Sequence, residues 1–93
     1  MELNELRAQI DAVDAQLIAL LEQRMDIAAG IAAWKRANDY PVLDAGRETQ
    51  KFDAVRAQCR PETADLIVSL YKDIFAASRA YQTKLLENTA DGT

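Results

Sequence analysis

The sequence predicts an all-α fold of three helices, on two observations. The first is composition. Three glycines and two prolines among 93 residues, with 49% hydrophobic and 28% charged side chains, leave abundant helix formers and little turn chemistry for hairpins. The second is periodicity. Apolar residues recur at alternating steps of three and four through Leu3, Leu6, Ile10, Val13, Leu17 and Leu20, and then, after Arg24, through Ile27, Ile31 and Trp34, which marks one stripe of a long helix. The length suits a single domain, residues 1–93.

The first helix is expected from about residue 3 to about residue 36, capped at Asn4 or just before it. Ala37-Asn38-Asp39-Tyr40-Pro41 ends it, because Asn and Asp favour turns and the residue before proline is pushed out of the α region. A connection of about eight or nine residues follows, and Asp44 stands as N-cap of a short second helix over about 45–58, with Glu48, Phe52, Val55 and Cys59 as its stripe. Arg60-Pro61-Glu62 starts the third helix, expected over about 62–87 on Leu66, Ile67, Leu70, Ile74, Phe75, Tyr81 and Leu85. Asn88 to Thr93 reads as a frayed polar tail.

Helix length bears on assembly. Some 34 residues of helix extend about 50 Å, whereas a compact domain of this size has a radius of gyration of about 13 Å. The first helix must therefore project beyond its own domain. Covering its free seam calls for a partner, and a two-fold pairing of long helices is the simplest closed arrangement, so an intertwined homodimer is expected.

Several function classes drop out. A net charge of −4 argues against a general nucleic-acid or anionic-membrane surface, so any anion site must be local. The start MELNELRAQ lacks the basic and apolar regions of a signal peptide, and no apolar run approaches a membrane span, which makes a cytoplasmic protein the expectation. One cysteine, Cys59, and no histidine leave no intrachain disulfide, no common zinc site and no imidazole for acid-base work. Reaction types that need a thiolate pair, an imidazole or a histidine-bound metal drop out.

The candidate site residues are the polar side chains that break apolar stripes. Arg24 interrupts the first-helix seam. Within about 40° of it on the helical wheel lie Ala28, Ile31 and Lys35, so Arg24 and Lys35 bracket a small apolar floor with about 16 Å of rise between them. Two cationic side chains over such a floor form a slot for an anion; the alternative is that Arg24 pairs with an internal carboxylate. Ser78 and Gln82 stand four apart at the edge of the third-helix core face, where two neutral hydrogen-bonding groups either serve a ligand or bond locally. Asp44, Arg47 and Glu48 crowd the first turn of the second helix, as a pocket wall or as a cap beside a solvated Arg-Glu pair. Arg7 lies about 25 Å along the rod from Arg24. It reaches such a slot only in a partner chain, or else remains an exposed arginine near Asp11.

Together, LRAQIDAVD at the start, LLEQR with Lys35 eleven residues after Arg24, PVLDAGRE across the loop and second helix, and SRAYQ in the third helix closely resemble the all-helical chorismate mutase family. The resemblance covers residues 3 to about 86, and its specificity lies in the order and spacing of fragments that are individually weak. It implies an intertwined homodimer of three-helix subunits that rearranges chorismate to prephenate without cofactor or metal. It further implies that Arg24, with Arg7 of the other subunit, holds the substrate carboxylates, supported by Arg47 and Asp44. Lys35 and Gln82 would donate to the ether oxygen, Glu48 would accept from the ring hydroxyl, and Ser78 would meet a carboxylate or hydroxyl. Arg24, Lys35 and Gln82 are thus the expected catalytic residues. The link around Cys59 to Thr63 is shorter than in many members of the family, and Arg79 and Tyr81, between Ser78 and Gln82, bear on the pocket wall or the dimer face.

An isomerase of this kind needs no nucleophile or proton relay, so a chain without histidine can perform it. With no dehydratase or dehydrogenase extension after residue 93, a monofunctional enzyme of aromatic amino acid biosynthesis in the shikimate pathway is expected. Two rivals stand beside it. One is an isochorismate-pyruvate lyase on the same fold, which would use a similar cationic clamp. The other is a non-catalytic helical dimer or regulatory partner of a pathway enzyme. Trp34, Met25 and Gly30 read as packing residues.

Overall fold

The computed structural model describes the backbone of residues 2–91 and the side chains of residues 2–87. Helix α1 spans Leu3–Ala37, α2 Ala45–Gln58 and α3 Pro61–Asp91. The all-α expectation holds. Helix α1 starts at Leu3 as expected, and its N-cap is Glu2, just before Asn4, with no side-chain cap bond. At the other end α3 continues to Asp91, which corrects the expected end near 87 and the tail beginning at Asn88. Asn, Thr and Asp are weaker helix formers that do not break a helix, Ala favours one, and the first strong breaker after Pro61 is Gly92. The remaining two residues of that expected tail lie outside the described residues.

The link between α1 and α2 is residues 38–44, seven positions and not eight or nine, because α1 runs one residue further than expected. Its first turn is a Schellman motif. Tyr40 N–H donates to Lys35 C=O at 2.8 Å and Asp39 N–H to Arg36 C=O at 3.4 Å, which satisfies carbonyls that the helix end would leave unpaired. Asp39 takes the left-handed conformation usual for glycine there, with φ of 56°. The Trp34 and Tyr40 rings meet at 4.9 Å, the hydrophobic contact that commonly closes this motif. As expected, Asp44 caps α2, its carboxylate accepting from Arg47 N–H at 3.0 Å. Pro61 opens α3, since a proline at the first helical position forfeits an N–H that would be unpaired anyway.

Packing is organised by α3. It lies against both α1 and α2, which do not touch each other among the described residues. The buried stripe of α3 is Ala64, Val68, Phe75, Ser78 and Gln82, at helical steps of three, four or seven. Leu66 and Leu70, expected in that stripe, are instead exposed. Small side chains at 64 and 68 let the helices approach, and the leucines fall on the opposite flank. On α2 the expected stripe is observed, with Val55 buried and Glu48, Phe52 and Cys59 half-buried. Only Ala28 and Ala32 of α1 are buried. Its N-terminal half projects free, giving extents of 56 × 28 × 14 Å and a radius of gyration of 16.7 Å. Gly30 has no atom near the space a Cβ would fill, so it marks no close helix approach within the chain.

The strain at Asp39 sets a stability test. Asp39→Gly should raise unfolding stability by up to about 1 kcal/mol, since glycine adopts this conformation without a Cβ clash, whereas Asp39→Val should lower it by about 1–2 kcal/mol. Urea unfolding at one fixed protein concentration measures both.

Candidate active site

The strip of α1 from Arg24 to Lys35 faces α3 and the start of α2, and together they enclose a cleft of about 550 Å³. Arg24, Ala28, Ile31 and Lys35 all line it, as the helical wheel predicts. Arg24 is half-buried, with its guanidinium carbon 5.4 Å from the centre of the Phe75 ring, a cation–π contact. Phe75 is held in turn by Phe52, at 4.9 Å, and by Tyr71, edge-on at 5.8 Å. Among the described residues no carboxylate lies within ion-pair distance of Arg24, so the internal-carboxylate alternative is not what the fold adopts. The aromatic face supports the cation without cancelling its charge.

Lys35 occupies the last turn of α1, and its Nζ donates to the Val42 carbonyl at 2.7 Å. One N–H is thereby used to tie the 38–44 loop down over the helix end. The ammonium keeps two more donors.

On α2, Asp44, Arg47 and Glu48 reach the cleft together. Asp44 is engaged as the cap, and Arg47 is exposed at the cleft edge. The solvated Arg47–Glu48 pair considered from sequence is replaced by a tertiary one. Nη1 of Arg79, from α3, lies 2.6 Å from both Oε1 and Oε2 of Glu48.

Ser78 and Gln82 are the buried polar groups of α3, at 7% and 6% exposure. Gln82 Nε2 donates to Ser78 Oγ at 3.1 Å, while Gln82 Oε1 is buried and has no partner. An acceptor left so costs about 1–3 kcal/mol. The terminal amide torsion is two-fold, and a serine hydroxyl both donates and accepts. Turning the amide over lets Ser78 donate to Oε1 and releases both Nε2 hydrogens. In that orientation Oε1 is paired and Nε2 is free to donate to an oxygen acceptor in the cleft.

The cleft walls carry five cations, Arg24, Lys35, Arg47, Lys51 and Arg79, against two carboxylates, Asp44 and Glu48. That local excess arises in a chain of net charge −4, and it makes the cleft a focused site for a small anion. Seven expected residues thus converge: Arg24, Lys35, Asp44, Arg47, Glu48, Ser78 and Gln82. Arg7 does not. It is exposed on the projecting half of α1, remote from this cleft.

Sequence reasoning missed Arg79 as the partner of Glu48, as well as Lys51, Tyr40 and Trp34 as cleft residues. Lys51 was within reach of the reading, four positions after Arg47 on the same helix face. Trp34, read as packing, is 54% exposed and stands at the cleft rim against Tyr40.

Known proteins share this architecture. The chorismate mutase of Methanocaldococcus jannaschii is 27% identical over 90 residues, 95% of this chain and 91% of that protein. The 4-amino-4-deoxychorismate mutase of Streptomyces venezuelae is 37% identical over 72 residues, 75% of this chain and 70% of that one. The crystal structure of chorismate mutase from Helicobacter pylori in complex with prephenate aligns with a TM-score of 0.84 and 30% identity, covering 91% of this chain and 93% of that chain. The family described as chorismate mutase type II matches residues 6–83. That segment contains every cleft residue described above, and Arg7 as well: the chain belongs to the chorismate mutase type II family of isomerases.

Proposed function

We propose that the cleft binds chorismate and rearranges it to prephenate, and that the chain acts as a homodimer in which Arg7 of one subunit completes the other's site. The observation that carries this reading is the cationic excess of the cleft, with two hydrogen-bond donors, Lys35 and Gln82, at its wall. Chorismate is a dicarboxylate. In the reaction one C–O bond breaks and one C–C bond forms within a single molecule, so nothing is added, no proton is transferred and no cofactor takes part.

Arg24 and the partner's Arg7 hold the two carboxylates, with Arg47, positioned by the Asp44 cap, supporting that end. Their work is to keep the substrate in the compact conformer that brings the bonding carbons together. Negative charge grows on the ether oxygen as the C–O bond stretches. Lys35 Nζ and Gln82 Nε2 donate to that oxygen and so bind the transition state more tightly than the substrate. Ser78 accepts no share of the chemistry; its hydroxyl orients the Gln82 amide. Glu48 accepts from the ring hydroxyl.

The exposed face of α1 supports the dimer. Leu6, Ile10, Val13, Leu17 and Leu20 are all exposed in the single chain. Fully burying such a side chain contributes about 1.5–3 kcal/mol, and these five are already about half covered, so covering the rest is worth on the order of 5 kcal/mol per chain. That is comparable to the lower end of the net stability of a typical domain, about 5–15 kcal/mol. We take the whole chain, residues 1–93, as one domain working in the cytoplasm, on a route to phenylalanine and tyrosine. No helix among the described residues is long and apolar enough to cross a membrane, in keeping with that placement.

Three measurements test the reading. Lys35→Ala should lower kcat for chorismate by about 10²–10³ with the fold intact by circular dichroism; turnover at the wild-type rate would remove Lys35 from the ether oxygen. Gln82→Glu can donate only as the protonated acid, so its rate should fall about tenfold per pH unit above the carboxyl pKa while the wild-type profile stays flat. A flat profile in the variant would contradict the donor role. Finally, Arg7→Ala and Lys35→Ala chains, each inactive alone, should regain about a quarter of wild-type activity when co-refolded in equal amounts. Half the dimers are then mixed, each with one intact site. No recovery would place Arg7 outside the partner's cleft.

A further inference from the structure

The ion pair between Arg79 and Glu48 is a strong contact in the cleft, and the resemblance assigns Arg79 no role. Nη1 of Arg79 reaches both carboxylate oxygens at 2.6 Å. Both side chains line the cleft and are partly withdrawn from water, at 34% and 22% exposure. A carboxylate held this way keeps lone pairs for a further donor. Its charge, however, is cancelled at contact range.

We propose that Arg79 is a specificity-determining residue, which by neutralising Glu48 makes the cleft select a hydroxyl over an amine at position 4 of the substrate ring. The inference rests on the reaction proposed above. The choice is a real one among similar proteins, since one relative is a chorismate mutase and another a 4-amino-4-deoxychorismate mutase, whose name places nitrogen where chorismate carries oxygen. An allylic primary amine is an ammonium at neutral pH. A lone carboxylate would attract it strongly, whereas a hydroxyl needs only an acceptor. With Arg79 in place, an ammonium hydrogen-bonded to Glu48 would lie about 4–6 Å from a guanidinium, a range at which a like charge disfavours the charged form tenfold or more. A neutral hydroxyl incurs no such repulsion.

The position of Arg79 fits a role distinct from catalysis. It follows Ser78 on α3 but reaches across to α2, so it acts on the substrate through Glu48 and not at the ether oxygen. Its effect should therefore appear in the ratio of two substrates more than in the rate of either.

The test compares kcat/KM for chorismate and for 4-amino-4-deoxychorismate in the wild type, Arg79→Met and Arg79→Lys. Arg79→Met should raise the amine-to-hydroxyl ratio by about tenfold to a hundredfold, and Arg79→Lys, which keeps the charge, should leave it within about threefold of wild type. An unchanged ratio in Arg79→Met, or an equal shift in Arg79→Lys, overturns the inference. Should Arg79→Met not fold, Arg79→Gln is the second neutral variant and carries the same expectation. A wild type that converts neither compound would sink the proposed reaction instead. The ratio of calorimetric affinities for the same two compounds then decides the role of Arg79 separately.

Discussion

Everything in the cleft depends on a charge imbalance that the chain does not correct from within. Of the two carboxylates among the cleft residues, Asp44 is occupied by the backbone of α2 and Glu48 by Arg79. Neither reaches Arg24 or Lys35. Those two cations are held by neutral groups, a ring face and a backbone carbonyl. A cation–π contact contributes about 0.5–2 kcal/mol while leaving the full charge in place; a carboxylate partner would orient the same side chain but extinguish its field. The arrangement keeps its cations rigid and uncompensated, which a site for a dianion requires.

The helix ends convert that electrostatic need into geometry. The Schellman turn after α1 brings Val42 back over Lys35, and the Lys35–Val42 bond then anchors the loop that delivers Asp44 and α2. Local backbone bonds thus set the distance between the two walls that carry Lys35 and Glu48. The third wall needs no loop. Because α3 is the helix on which both others pack, Phe75, Ser78 and Gln82 are placed by the core itself, and the buried hydroxyl-amide pair sits where its position is most tightly determined.

The parts of this structure legible in the sequence are those decided within a few residues. The Asp44 cap, the span of α2 and the Arg24-Ala28-Ile31-Lys35 strip follow from helix geometry and cap chemistry, which are local. What could not be read was decided by tertiary packing. Leu66 and Leu70 look like core on any hydrophobic pattern, yet α3 buries Ala64 and Val68 because neighbouring helices approach closest over small side chains. The Arg79–Glu48 pair spans 31 positions and joins two helices, so no spacing rule could have found it. Trp34 was misread for a related reason: one residue from Lys35, it sits where the stripe leaves the chain's own core and meets the cleft rim. For the leucines and Trp34 the error arose where an apolar stripe is wider than the surface the chain itself covers.

The same width explains how a chain this small can hold an active site at all. A rearrangement that transfers no proton asks only for positioned charge, and the magnitudes show how little more is needed. One preplaced donor at a developing oxyanion contributes about 2.7–4 kcal/mol. In the proposed reaction two such donors on one oxygen, Lys35 and Gln82, would contribute at most about 8 kcal/mol, the lower end of enzymatic rate enhancement. The carboxylate clamps then have only to fix the substrate's conformer. That clamping calls for cations on more than one side of a small molecule, and Arg24 on α1 and Arg47 on α2 stand on different walls of the cleft. In the proposed dimer a second copy would supply apolar cover for the free half of α1. Arg7 stands beside the stripe on that same projecting half, so in the proposed dimer the contact that buries the stripe would also bring the remaining cation to the site.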